Sequence, residues 1–491
     1  MDHTAQKALI WTMIDVLGSQ VSPFVAFLII ARFIDPHDYG TFALAMSCLA
    51  PLTVVLYQGL ADALITAIDP DEAYIATAFW MNMGLALVIT AIVQVIAGSL
   101  AELFRAPVME PALRWLSLLA VLQGLVSVHV ALYRRRLEMG VLARRTLIGR
   151  ALGAALGIGL AVAGFGIWAL VAMQLIQSAV AAAILWGVSD WRPKLCFNVQ
   201  HCRDVLRFGT HFTSASLATA VVNIADNLIV GFFFDPKAVG LYVLAARILE
   251  MATTVVLVPM RSLVMPLLSK AASDPPLFAS SYRGMVTPAF LAWMPIILIL
   301  ATTSRILIPG IFGPKWEGAV VVLHAMCATA FTTPLWFFAG QALSAAGRPD
   351  GFLKLAMIQI GVTSACVSFA SQLSLAAVGW GWACASAVMV PIALWYLNRR
   401  CEVSWLPMAR DAAKLGSAGL ALLTASLWTS AMAHAAGFSA WIGAALGAAA
   451  GLLVYVALIE FVLTRGQISA AVRGLAALAQ RRAPHISPRQ A

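Results

Sequence analysis

Six ionisable side chains stand out inside the long apolar runs of this chain: Asp15, Asp62, Asp226, Arg247, Glu250 and Arg261. A charge near the centre of a bilayer costs a few kcal/mol, so each requires a partner, a water-filled cavity or a ligand. Three of them share one run. At 100° per residue, Glu250, Thr254 and Arg261 fall about 60°, 20° and 40° from Arg247, all to the same side. Fourteen residues at 1.5 Å of rise separate Arg247 from Arg261 by about 21 Å along the axis. Guanidinium stays charged and presents a planar fork of donors, the side chain best suited to phosphate oxygens. Two arginines at different depths therefore suit an anionic headgroup that is passed from one face to the other.

Arg247 has two readings. It is either a diphosphate ligand or one half of an internal ion pair. Counting outward from the hairpin apex at Pro236 and Lys237 sets Asp226 opposite it, and Glu250 lies at i+3. Arg261 has no acidic neighbour in that register and is read as a substrate contact, against snorkelling to the interface. Thr219, Asn223, Asp226 and Asn227 share one helical face. They form either an oxygen and amide cluster for Na⁺ or a proton, or a hydrogen-bonded helix contact. Asp15, Ser19 and Ser22 make the comparable stripe on the first run. The same arithmetic about Pro36 sets Gln58 opposite Asp15, with Asp62 one turn away. These residues are the gating or ion-coupling candidates, with H⁺ and Na⁺ both open. His129, His211 and His324 are isolated and lack metal-ligand spacing, and no phosphate-binding GxxxxGK[ST] is present. No cofactor, metal or catalytic residue is expected. The run Asp69-Pro70-Asp71-Glu72 reads as a solvated turn.

The elements that must carry these residues follow from composition. Of 491 residues, 61% are hydrophobic and 11% charged, against about 25% charged in soluble proteins. That excludes a soluble enzyme. Fourteen apolar runs long enough to span a bilayer are separated by charge or by Pro and Gly. Their approximate limits are 9–33, 40–64, 75–98, 112–132, 146–164, 166–187, 207–233, 238–268, 285–304, 318–341, 353–373, 378–397, 412–432 and 440–463. Placed on alternate sides, 24 of the 32 Lys and Arg fall on the side of both termini, Arg144, Arg145 and Arg150 among them. Six fall opposite. This asymmetry predicts cytoplasmic termini and accounts for the net charge of +10 without nucleic acid. The seven cysteines lie in apolar runs or basic loops, and no disulfide is expected. Trp168, Trp316, Trp380, Trp382 and Trp405 sit near run ends and read as interfacial anchors. The tail after Leu463 is either a solvated basic segment or a short surface helix, with Ile468, Val472, Leu475 and Leu478 at helical spacing.

The chain also repeats itself. FIDPHDYGTFALA begins at Phe33 and FFDPKAVGLYVLA at Phe233, so Asp35-Pro36 and Gly40 match Asp235-Pro236 and Gly240. Six spans per half preserve sidedness, which gives parallel repeats related by an axis along the membrane normal. The expectation is an all-α polytopic membrane protein of about fourteen helices. Two pseudo-symmetric six-helix lobes would surround a central cavity, with two extra C-terminal helices outside. The expected limits are 1–188 for the first lobe, 189–206 for a cytoplasmic linker, 207–398 for the second lobe, 399–463 for the extra helices and 464–491 for the tail.

The segment from Val222 to Lys270, with ARFIDPHDYGTFALA and GFGIWALV in the first half, resembles the Wzx-type polysaccharide flippases of the multidrug/oligosaccharidyl-lipid/polysaccharide exporter superfamily. The resemblance is to exporters of the colanic-acid type and covers about residues 5–465. It implies a bacterial inner-membrane protein that moves an undecaprenyl-diphosphate-linked oligosaccharide by alternating access, in contact with membrane lipids and with polysaccharide polymerase and assembly proteins. Arg247 and Arg261 would then engage the diphosphate. The rival within the superfamily is a cation-coupled multidrug antiporter, for which an acidic cavity lining is expected. A polymerase or ligase would be expected to carry a large external loop, and the loops between these runs are too short for one.

Overall fold

The computed structural model describes residues 23, 25–54, 64, 70–203 and 224–462. Among these residues every regular element is a helix. In chain order they are α1 (Pro36–Val54), α2 (Glu72–Leu103), α3 (Met109–Leu116), α4 (Leu118–Arg135), α5 (Met139–Val162), α6 (Ile167–Val188), α7 (Ile224–Phe233), α8 (Pro236–Leu268), α9 (Pro275–Phe312), α10 (Gly318–Cys327), α11 (Thr333–Phe337), α12 (Ala339–Ala345), α13 (Pro349–Ser371), α14 (Leu375–Cys401), α15 (Trp405–Ala435) and α16 (Ala440–Val462). Ten spans among the described residues are long and apolar enough to cross a membrane, counting Met109–Arg135 as one. The pair Gly318–Phe331 and Thr333–Ala345, bent by 61°, makes an eleventh. Each corresponds to one of the expected runs. The remaining three, 9–33, 40–64 and 207–233, fall partly outside the described residues, as does the whole basic tail.

Several helices are longer than the apolar runs that revealed them. α9 has 38 residues, about 57 Å at 1.5 Å each, where the run 285–304 covers only the lipid-length part. Arginine and lysine are good helix formers, so a helix continues past the hydrocarbon boundary that hydropathy detects. Arg144 and Arg145, which precede the apolar run 146–164, are thus helical and not in a loop: with Arg150 they lie inside α5, and Arg145 is buried. The separation of α5 from α6 at the GFG segment is real. Gly164 and Gly166 take φ of +82° and +54°, a left-handed backbone that side chains resist.

Lipid is as apolar as a leucine side chain, so helices associate through close backbone approach and hydrogen bonds. A Cβ on Gly149 or Gly153 of α5 would lie 2.8 Å from the carbonyl oxygen of Gln177 or Met173 on α6. On α16, a Cβ on Gly447 or Gly451 would come within 2.6 and 2.9 Å of the Ser426 and Leu422 carbonyls of α15. Glycine every fourth residue lets both pairs close.

Packing divides the chain into two compact units. The first comprises Met1–Leu244 with Pro309–Gly318, and the second Ala245–Ile308 with Ala319–Ala491. In the first, Phe79, Val128 and Ala131 form a core with Trp80, Trp186 and Trp191 against it. The segment after α6 is strapped to the start of α2. Lys194 pairs with Glu72 at 2.6 Å, the Trp80 indole donates to the Lys194 carbonyl at 2.8 Å, and Thr77 accepts from the Asn198 amide at 3.1 Å. The acidic run around Asp71 is therefore used structurally: Asp71 caps α2 through the Tyr74 amide, and Glu72 anchors the strap.

In the second unit, α15 and α16 dock on α9. Asp411 accepts from Arg283 Nε and Nη2 at 2.6 and 2.8 Å, and Ser426 donates to Thr302 at 3.1 Å. The break in the bent span is held by α14. The buried hydroxyl of Ser386 lies 2.7 Å from Thr332 Oγ1 and accepts from the Trp336 indole at 2.9 Å. Pro334 in the first turn of α11 has no amide to continue the preceding helix. Ser386→Ala strands the Trp336 donor and is expected to destabilise the full chain by about 1–3 kcal/mol, read as a lower melting temperature in detergent. Ser386→Thr, which keeps the hydroxyl, should lose less.

Candidate functional site

The Asp-Pro pair of the repeat starts a helix in both halves. Pro at the first helical position needs no hydrogen bond. In the second half Asp235 Oδ1 accepts from the Ala238 amide at 2.8 Å and caps α8. In the first half Asp35 pairs with Lys315 at 3.3 Å. The glycine four residues later has a different purpose. Gly40 and Gly240 face each other: a Cβ on Gly40 would overlap the Pro236 carbonyl oxygen and lie 2.6 Å from the Gly240 amide nitrogen. A Cβ on Gly240 would likewise overlap the Pro36 carbonyl oxygen. The two copies of the motif thus cross backbone on backbone within the first unit. Trp316 locks the crossing, donating to the Ala31 carbonyl at 2.8 Å with its ring edge-on to Tyr39 at 5.8 Å. It is fully buried, which corrects its reading as an interfacial anchor.

Beside this crossing lies a polar cluster. Tyr242, fully buried on α8, donates its hydroxyl to Asp226 Oδ2 at 2.7 Å. Asp226 Oδ1 accepts from the Asn227 amide at 3.0 Å, and the Asn227 side chain donates to Ser47 Oγ at 3.2 Å. A carboxylate so held stays at membrane depth because its lone pairs are used. Asn223, Asp15, Gln58 and Asp62 lie outside the described residues.

In the second unit, Arg247 Nη1 donates to Glu250 Oε2 at 3.3 Å, an exposed i,i+3 pair worth at most about 1 kcal/mol. Arg261 is held differently. It stands between Pro259 and Pro266, the two prolines inside α8. With the Gln341 amide turned to satisfy both its ends, the side-chain oxygen accepts from Arg261 Nε and Nη2, while the nitrogen donates to the Phe337 carbonyl at 3.2 Å. That orientation is assigned from the hydrogen-bond network. The guanidinium carbon lies 5.8 Å from the centre of the Phe337 ring, a cation–π contact of about 0.5–2 kcal/mol. Arg261 opens on a cavity of about 500 Å³ with Ser262 and Ser344 beside it and Val258, Met265 and Phe352 as apolar walls.

Gln341 and Phe337 escape a reading of local sequence. A lone Gln and a Phe in an apolar run carry no signal of their own; the signal available was Thr332-Thr333-Pro334, a break in the middle of the tenth run that turns both toward α8. Arg145 escapes for the opposite reason: it sits among arginines that hydropathy assigns to a loop.

This arrangement can hold an anion at one end and hydrocarbon at the other. The family model described as "Polysaccharide biosynthesis protein" matches residues 29–321, which include the crossing, the Asp226 cluster and all of α8. This chain belongs to the polysaccharide biosynthesis protein family. It is 26% identical over 369 residues to the "Succinoglycan biosynthesis transport protein ExoT" of Rhizobium meliloti (strain 1021), covering 74% of each chain. It is 22% identical over 377 residues to the "Lipopolysaccharide biosynthesis protein WzxC" of Escherichia coli (strain K12), covering 75% of this chain and 73% of that one. Its fold is similar to that of "Lipid II flippase MurJ, inward closed conformation", with a TM-score of 0.73 at 12% identity over 92% of this chain and 98% of that one. Among the described residues, Arg261 beside the apolar walls pairs a fixed positive charge with hydrocarbon.

Proposed function

We propose that this protein is a bacterial inner-membrane flippase that carries an undecaprenyl-diphosphate-linked oligosaccharide from the cytoplasmic to the periplasmic face by alternating access. The observation that carries the reading is Arg261, held by a neutral acceptor and an aromatic face at the mouth of a cavity with apolar walls. A phosphate at the junction of sugar and lipid matches that pairing of charge and hydrocarbon. The names of the sequence relatives, a succinoglycan transport protein and a lipopolysaccharide biosynthesis protein, support the same substrate class. Arg247 is a second diphosphate contact, released from Glu250 when substrate arrives. Asp226 couples the cycle to H⁺ or Na⁺ through its hydrogen bond with Tyr242. Both termini are cytoplasmic, and polymerase and assembly proteins receive the product.

Deleting the gene in its host is expected to remove surface polysaccharide while completed lipid-linked repeat units accumulate on the cytoplasmic face. Extraction of lipid-linked oligosaccharide together with surface polysaccharide measures both. Unchanged polysaccharide with new sensitivity to cationic drugs would move the protein to the multidrug branch, and Asp15, Asp62 and Asp226 would become the residues to test.

A further inference from the structure

We infer that the strap following α6 is an interfacial anchor: Leu195, Phe197 and Val199 enter the headgroup layer of an anionic leaflet, and the basic residues around them hold its phosphates. Such an anchor serves any cargo, so it stands apart from the flippase reading.

Pro193 disfavours helical backbone at Arg192, and the chain leaves α6 at Val188 without resuming a helix until Val199. One edge of this stretch is fastened. The Lys194 carbonyl accepts from the Trp80 indole and from the Cys196 amide, both at 2.8 Å. Lys194 Nζ reaches Glu72, and the Asn198 amide donates to Thr77. His201 lies 3.6 Å from Asp71, with its ring edge-on to Tyr74. The Arg192 guanidinium donates to the carbonyls of Trp186, Ser189 and Trp191, which ties the strap to the last turn of α6.

Among the described residues the opposite edge is uncovered. The bond from the Cys196 amide back to the Lys194 carbonyl closes a γ-turn and sets Leu195 at its tip, 92% exposed. Phe197 and Val199 follow at 57% and 63%. Exposed apolar side chains within a span meet lipid tails, but these three lie outside every span of the described residues. Isolated apolar side chains are ordinary on a surface; three in five positions, on a backbone held at several points, make a patch.

The contacts of the strap set its depth. Thr77 and Trp80, which bind it, both fall inside the apolar run 75–98. The strap therefore runs beside the first turns of a membrane span, where hydrocarbon gives way to headgroups and tryptophan is at home. A docking site for a soluble protein needs no such depth. Charge points the same way. From 190 to 203 the strap carries Arg192, Lys194 and Arg203 against Asp190. Arg134, Arg135 and Arg136 are exposed at the end of α4, with Glu138 the acid beside them, and Val128 and Ala131 of α4 share a core with Trp191. Apolar side chains set among Lys and Arg at the interface match anionic headgroups.

The test uses the purified full chain in nanodiscs of phosphatidylcholine alone or of phosphatidylcholine mixed with phosphatidylglycerol. A nitroxide on Leu195→Cys, with the native cysteines replaced by serine, is expected to collide more with oxygen, which concentrates in hydrocarbon, than with a nickel chelate, which stays in water. In phosphatidylcholine alone that preference should fall at least about twofold, and high salt should reduce it in the anionic mixture. Leu195→Ser with Phe197→Ser leaves the hydrogen bonds of the strap in place. It should lower the melting temperature more in the anionic mixture than in phosphatidylcholine, and Arg203→Gln should do the same. A purely structural role predicts equal losses in the two lipids and would overturn the anchor.

Should the cysteine-free chain fail to fold, p-benzoylphenylalanine in place of Phe197 in the otherwise native chain gives the second measurement. Irradiation in cells is expected to yield phospholipid adducts. Adducts with another protein or with a second copy of this chain overturn the lipid assignment, as does a nitroxide that meets nickel as freely as in water. Equal oxygen preference in the two lipids overturns the role of the basic residues.

Discussion

Placing an alanine at Gly40 or Gly240 is expected to break the crossing of the two repeat motifs and to cost the protein both stability and export. Each new methyl would meet a backbone carbonyl oxygen of the opposing helix start, Pro236 for Gly40 and Pro36 for Gly240. A backbone atom cannot rotate away, so the helices must separate. Overpacking of this kind costs about 1–3 kcal/mol or more, and each 1.4 kcal/mol lowers the population of the crossed arrangement about tenfold. Trp316 would lose its fit at the same time, since its hydrogen bond to Ala31 and its contact with Tyr39 depend on the same closure. The measurements are the melting temperature of the full chain in detergent and export in a complemented deletion strain. The double variant sharpens the test. Once one methyl has parted the helices the second meets little, so the pair should cost clearly less than the sum of the singles. Additive costs would mean that the glycines act at separate places, contrary to the geometry.

The second large effect is expected at Arg261. Arg261→Ala should lower export by about tenfold to more than a hundredfold at normal protein level, since hydrogen bonds to charged groups contribute about 1.5–3 kcal/mol. Arg261→Lys should fall between. It keeps a charge but has no planar fork for the Gln341 oxygen to engage, so phosphate attraction survives while orientation is lost. Surface polysaccharide and trapped lipid-linked repeat units, normalised to protein in the membrane, check both variants. Normal export by Arg261→Ala would take the cavity off the substrate path. Arg247→Ala is a milder change in the absence of substrate, because its pair with Glu250 is exposed; a strong export defect there would assign it to the ligand.

Much of this protein was legible in its residues alone. The described spans coincide with apolar runs because the number of consecutive apolar residues measured against bilayer thickness is a local property. The matching Asp-Pro pairs at 35–36 and 235–236 announced helix starts because a capping carboxylate and a proline act within one turn of chain. The polar stripe on α8 followed from helical geometry, which also needs only local sequence, and Glu250 was within reach of Arg247 for the same reason.

Tertiary structure decided the remainder. Nothing local says that Gly40 and Gly240, far apart in the chain, occupy one point where two backbones touch, or that Trp316 closes on Ala31 instead of resting at an interface. Hydropathy placed Arg145 in a loop because it detects lipid contact and not helix continuity. Gln341 and Phe337 gave no sign of serving Arg261, since their meaning arises only when a broken span turns them toward another helix. The sequence by itself therefore determined where the described spans lie along the chain and how polar each is, which chain-local forces set. Which faces meet, and so what an intramembrane arginine is held by, was decided by packing between distant segments.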